Sequence, residues 1–462
     1  MNIDTYRERR QKLREAIPDG AILIMGNTAA SRNYEDNVFP FRQDSHFLYY
    51  VGVSSPGMAL LLDGDGDEWL FGPAEGPDDI VWVGPKPGIE DHAAAAGVAS
   101  WGVSEDLRER VRARAGRGDI VHYLPPYRAQ RRFELADLLD SDPRTVNLGV
   151  SDDLMRAVLA QRMIKGAEEI AEIEEALAVT ADMYRAAMAA AGPGRTESEI
   201  LAVLVVQAAA RGVQLAFNPI VTVRGEILHN ETYLNTAADG DLMLIDSGAE
   251  STGFYASDIT RTFPVSGRFS DRQREIYELV LRAQSAVIDA ASPERSNKEL
   301  HLIAARTIAG GLVDSGLMQG NPDDAVAEGA HALFFPHGIG HMLGLDVHDM
   351  EDLGDMVGYP EGEQRSTQFG LSLLRMTRPL EPGFVITVEP GIYFNPVLID
   401  RWQAEGMHRD FIRYDRLDAL RGFGGVRLED DVLITQDGCR VLGPPIPKTV
   451  DEVEAAVGSG GD

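Results

Sequence analysis

Acidic residues sit inside apolar, strand-like runs at four places in the second half of this sequence, and any fold must account for them. The runs are "DLMLIDSGAE", "FYASDITRTF", "FVITVEPG" and "GGVRLEDDVLIT". Strand side chains alternate faces, so Leu242, Leu244 and Asp246 share one. Folding "SGAESTG" into a hairpin about Thr252 places Asp258 opposite Asp246, with Cβ atoms ~5 Å apart. Carboxylates that close repel each other unless they share a proton or a cation. The plain alternative makes one of them a solvent-facing charge at a hairpin edge. Glu389 and Glu429 repeat the pattern, the latter with Arg427 on its face, although Asp430 or Asp431 fits the spacing equally well. Acids are almost never fully buried unless paired, so several in one domain call for a shared positive partner.

The stretch "FFPHGIGHMLGLDVHD" (Phe334–Asp349) offers His337, His341 and His348. Their offsets of four and seven would share a helix face, but Pro336, Gly338, Gly340 and Gly344 argue against a helix. Four carboxylates and one imidazole form a hard, oxygen-rich donor set. It suits Mn²⁺, with Fe²⁺, Co²⁺ or Zn²⁺ as alternatives. Two divalent ions would balance the four charges, and ions ~3.5–4 Å apart can activate water and polarise a carbonyl or phosphoryl oxygen.

A chain of 462 residues is expected to form two domains. Residues 1–150 alternate short apolar runs with turn signals. "AILIMG", "FLYYVGV" and "MALLLDGDGDEWLFG" read as strands, with a hairpin at "DGDGD", and "RFELADLLDS" reads as a helix. This is a mixed α/β domain without a chemical signature. From Ser151 onward helix formers take over, with a break at Gly166 and a stop at "GPG". Capping boxes at Thr196–Glu199, Ser270–Gln273 and Ser296–Glu299 open further helices. Residues 151–462 therefore read as an α+β domain, closing with a short helix in "GPPIPKTVDEVEAAV" and a loose "GSGGD" tail. The formal charge of −30 repels phosphate backbones and excludes nucleic acid as a partner. The single cysteine, Cys439, fits a reducing compartment. The charged N-terminus lacks a signal-peptide core, and the apolar runs are too short for a bilayer. A cytoplasmic protein with no membrane partner is the expectation.

Taken together, "LIDSGAE…ASDITRTFPVSG…PHGIGHMLGLDVHD…TVEPGIY…GVRLEDD" resembles the pita-bread metallopeptidases, in the branch of aminopeptidase P and prolidase. "FPFRQDSHFLYYVGV" resembles a segment of that branch's N-terminal domain, and "RMIKGAEEIAEI" its linking helix. The resemblance implies an N-terminal mixed α/β domain followed by a pita-bread catalytic domain. It implies that Asp246, Asp258, His341, Glu389 and Glu429 hold two divalent metal ions, most often Mn²⁺. This choice takes Glu429 over its acidic neighbours. His337 would lie beside the metals, His348 would meet the substrate carbonyl, and His229 would stabilise the tetrahedral intermediate. Glu389 doubles as proton acceptor, and Tyr393 and Arg427 line the pocket. His46 stands where aminopeptidase P relatives often have an acid. Arg375, in "SLLRMTRPLEPG", matches the arginine that meets a dipeptide's carboxylate in prolidases. Similar insertions also occur in bacterial Xaa-Pro aminopeptidases. The implied activity is release of the N-terminal residue from short Xaa-Pro peptides, with prolidase action on dipeptides as the alternative. A homodimer or homotetramer is implied as well. The complete ligand set argues against a non-catalytic binding module and against metal-free creatinase-type chemistry.

Overall fold

Five strands near the N-terminus form one mixed sheet: β1 (Ala21–Met25), β2 (Ala59–Leu62), β3 (Glu68–Gly72), β4 (Ser100–Val103) and β5 (Val121–Tyr123), in the order β4-β3-β2-β1-β5. The computed structural model that shows them describes residues 1–74 and 81–459, so the last three residues of the tail lie outside it. The "DGDGD" turn joins antiparallel β2 and β3, with the Asp63 N–H donating to the Asp67 carbonyl at 2.8 Å. Leu23, Leu61, Phe71, Val111 and Leu135 form the core between this sheet and its helices.

"FLYYVGV" is a helix rather than the expected strand, spanning Ser45–Val51. The Asp44 carboxylate accepts the Phe47 N–H at 3.0 Å, and Gly52 closes the last turn at φ 71°. All seven helical residues are buried. A helix buried all round shows no amphipathic period, so its apolar run looks like a strand.

The chain divides into Met1–Arg162 with Asp352–Gly354, and Met163–Glu351 with Asp355–Asp462. In the second unit, long helices span Ala167–Ala190, Glu197–Ala210, Asp271–Ala290 and Asn297–Asp314. The last three open with the capping boxes of Thr196, Ser270 and Ser296. Three small sheets carry the acids. β6 (Ile220–Thr222), β7 (Leu242–Ser247) and β8 (Ile259–Pro264) form one, and β10 (Gly391–Tyr393) and β11 (Gly425–Arg427) form the second. β9 (Val385–Val388), β12 (Asp430–Ile434) and β13 (Cys439–Val441) form the third, with β12 central. Between sheets, the Arg427 N–H donates to Thr262 Oγ1 at 3.1 Å, and the Glu429 N–H to the Thr260 carbonyl at 3.1 Å.

The β7–β8 hairpin corrects the expected register. Asp246 pairs with Thr260, and Glu250 bridges Ala256, so the chain reverses about Gly253 rather than Thr252. Phe254 takes up the reversal at φ 68°. A one-residue shift of the turn slides the register by two. Asp258 therefore keeps its face but becomes a diagonal neighbour of Asp246. Among the described residues no helix is long and apolar enough to cross a membrane.

Candidate active site

Asp246 lies near the end of β7 and Asp258 just before β8, while Glu389 follows β9 and Glu429 separates β11 from β12. His341 comes from the glycine- and proline-rich stretch, which runs beside β9 without regular helix. The Thr387 N–H donates to the His341 carbonyl at 3.0 Å, and the His341 N–H to Thr387 Oγ1 at 3.2 Å. Gly340 makes this approach possible, because a Cβ there would lie 2.0 Å from the Thr387 carbonyl oxygen.

Ligand atoms of Asp258, His341 and Glu429 lie within 4.8 Å of one another, and all three residues are buried. His341 Nδ1 bonds the Met342 carbonyl at 3.0 Å. That contact requires the proton on Nδ1 and leaves the Nε2 lone pair facing Asp258 Oδ2 at 3.4 Å and Glu389 Oε1 at 3.9 Å. Burial, then the charges of Asp246, Asp431 and Glu389, push the Asp258 carboxyl well above the usual range. Burial and the neighbouring acids do the same to Glu429, and burial raises Glu389. Asp246 Oδ1 and Asp258 Oδ1 are buried without a hydrogen-bond partner. Clustered acids, orphaned oxygens and one imidazole lone pair fit hard divalent cations. The other two acids of the run face different partners. Asp430 pairs with Arg261 at 2.7 Å and Lys448 at 2.5 Å, and Asp431 accepts the Asp258 N–H at 3.0 Å.

These residues open onto a cleft of ≈ 950 Å³. His229, His337, His348, Arg375 and Arg427 line it, and Tyr393 is buried behind them. Arg427 Nη1 donates to the Tyr393 hydroxyl at 3.0 Å, and that hydroxyl lies 2.8 Å from His337 Nε2. His337 Nδ1 lies 2.8 Å from the Gly338 carbonyl. The proton therefore sits on Nδ1, and the Tyr393 O–H donates to Nε2. Burial, then Arg427, lowers the His337 pKa to about 3. Burial, then His341, lowers that of His348 to about 4. Partial burial and Arg427 lower that of His229. Arg427 Nη2 binds Asp246 Oδ2 at 2.6 Å, so one guanidinium links Asp246 to the Tyr393–His337 pair.

Sequence reasoning missed Thr260 and Glu351. Thr260 Oγ1 donates to Glu429 Oε2 at 2.7 Å and accepts from Arg427 Nε at 3.1 Å. Glu351 touches both His348 and Arg375. Thr260 shares the face of Asp258 along the strand, which was the one available signal.

Carboxylates at strand ends and an imidazole, at the foot of a peptide-sized cleft, define a metal-dependent hydrolytic centre on an α+β scaffold. The model of metallopeptidase family M24 matches residues 171–436, and that of the aminopeptidase P N-terminal domain matches residues 6–122. The chain belongs to metallopeptidase family M24, in its pita-bread form. It is 32% identical to the Xaa-Pro aminopeptidase of Escherichia coli, over 97% of this chain and 96% of that one. It is 31% identical to the human Xaa-Pro dipeptidase, over 99% of this chain and 92% of that one. The solved structure of Pseudomonas aeruginosa aminopeptidase PepP superposes with a TM-score of 0.81 at 31% identity, covering 99% and 98% of the two chains.

Proposed function

We propose that this chain is a metal-dependent Xaa-Pro aminopeptidase, removing the first residue of short peptides whose second residue is proline. The observation that carries this reading is the convergence of buried acids and the His341 lone pair in one cleft. In it, Asp246, Asp258, His341, Glu389 and Glu429 hold two divalent cations, taken as Mn²⁺. Such cations supply Lewis acidity toward the scissile carbonyl and lower the pKa of the attacking water. Glu389, whose carboxyl burial raises above its usual range, accepts the proton of that water. His348 gives its Nδ1–H to Glu351, which leaves Nε2 bare to take up a proton and return it. His229 stabilises the tetrahedral intermediate, and His337, kept neutral by burial and by Arg427, orients the substrate.

The bond broken is a tertiary amide, whose proline nitrogen has no hydrogen to donate. That nitrogen must gain a proton as it leaves, and a site built around an absent N–H and a fixed ring selects proline. A homodimer or homotetramer and action in a reducing cytoplasm belong to the same reading, the latter supported by the lone free Cys439.

Prolidase action is the second reading, favoured by Arg375 in the cleft wall and by the human dipeptidase relative. The test is hydrolysis of an Xaa-Pro dipeptide and an Xaa-Pro-Xaa tripeptide with Mn²⁺, beside a chelated control. Metal-dependent release of the tripeptide's first residue is expected. A marked preference for the dipeptide would make the enzyme a prolidase, and silence on both would remove the Xaa-Pro assignment.

A further inference from the structure

Glu351 accepts the Nδ1–H of His348, and the same carboxylate also holds Arg375 in the cleft wall. Its Oε2 lies 2.7 Å from Arg375 Nη1 and 3.2 Å from His348 Nδ1. It opens the short turn Glu351–Leu353, just beyond the "DVHD" run. The Glu351 and Arg375 side chains are 36% and 38% exposed, so the ion pair stands in water rather than sealed in the wall. Arg375 lines the cleft and meets any incoming ligand with its charge already answered.

We propose that Glu351 is a specificity-determining residue: it occupies Arg375 against a peptide's terminal carboxylate and so tilts the enzyme from dipeptides toward longer peptides. The inference rests on the Xaa-Pro peptidase reading given above. A dipeptide ending in proline carries its carboxylate directly beside the ring. To reach Arg375 it must displace Glu351 or share one guanidinium with it, placing two carboxylates on one cation. A longer peptide carries a neutral amide at that point and makes no such demand. The His348 bond tethers Glu351 in place, so the rival charge cannot simply swing away. Half-exposed ion pairs are weak, so Glu351 acts as a bias rather than a block.

Three substrates separate this role from a merely structural one: an Xaa-Pro dipeptide, its C-terminal amide and an Xaa-Pro-Xaa tripeptide. Glu351→Gln keeps an acceptor for His348 and removes the charge. The dipeptide-to-amide ratio of kcat/KM should rise roughly fivefold in this variant, mainly through a lower dipeptide KM. Adding Arg375→Gln should abolish that rise. An unchanged ratio in Glu351→Gln, even if all three substrates slow together, would overturn the proposal, and so would a rise that survives loss of Arg375. Failure of the wild-type enzyme on all three would instead bring down the peptidase reading and this inference with it.

Discussion

Thr260 is fully buried in β8, and its one hydroxyl serves two partners, donating to Glu429 and accepting from Arg427. Such a contact fixes which way the Glu429 carboxylate points. Thr260→Val keeps the shape and removes both bonds, and Mn²⁺ affinity should fall about 10- to 100-fold. Calorimetric titration checks this, and undiminished affinity would reduce Thr260 to packing. The acids and histidines of the site were legible because their residue types are out of place in apolar runs. Thr260 was not, since threonine is ordinary in strands. Glu351 was equally silent, being an exposed charge among many.

Elements defined by local chemistry were readable in the sequence. Ser270 and Ser296 each cap a helix three residues before its glutamine or glutamate partner, and nothing distant is needed to form that motif. The β7–β8 register was not readable, because its turn is held from outside. Glu172 Oε2 accepts the Ser251 hydroxyl at 2.6 Å and the Gly253 N–H at 3.1 Å. That contact lies some eighty positions away along the chain and selects Gly253 as the pivot. Gly340 belongs to this scale as well, since its lack of a side chain lets the His341 segment lie against β9. Gly340→Ala should destabilise the fold by about 2–3 kcal/mol and lower metal occupancy with it. Urea unfolding and elemental analysis measure the two losses. A stable variant that still lost metal would mean that the loop shifts while the fold survives.

Across the whole molecule, 73 acids against 43 bases enrich cations around the chain, while Arg375 and Arg427 line the cleft. Acid stability draws on a different feature. His301 is completely buried, stacks on Phe335 at 5.1 Å, and has a pKa lowered to about 3 by burial and then by His331. Between that value and the unfolded value of ~6.5, the unfolded chain binds a proton that the folded chain refuses. Stability from this group is whole above pH ~6.5 and declines as pH falls toward 3, by roughly 2 kcal/mol at pH 5. His301→Phe keeps an aromatic ring and deletes the proton, so its stability should drop less than wild type between pH 7 and pH 5 in urea unfolding. Equal drops would contradict the linkage.

The order of the five candidate ligands along the chain adds a consequence in time. Asp246 and Asp258 leave the ribosome together, but Glu429 follows Asp246 by 183 positions (429 − 246). At ~5–20 residues per second that interval is on the order of 10–40 seconds. A nascent chain thus carries the first two acids long before the imidazole and the last carboxylate exist. A shell drawn from all five would be complete only once the chain is nearly finished, which would make metal capture a late event of its synthesis.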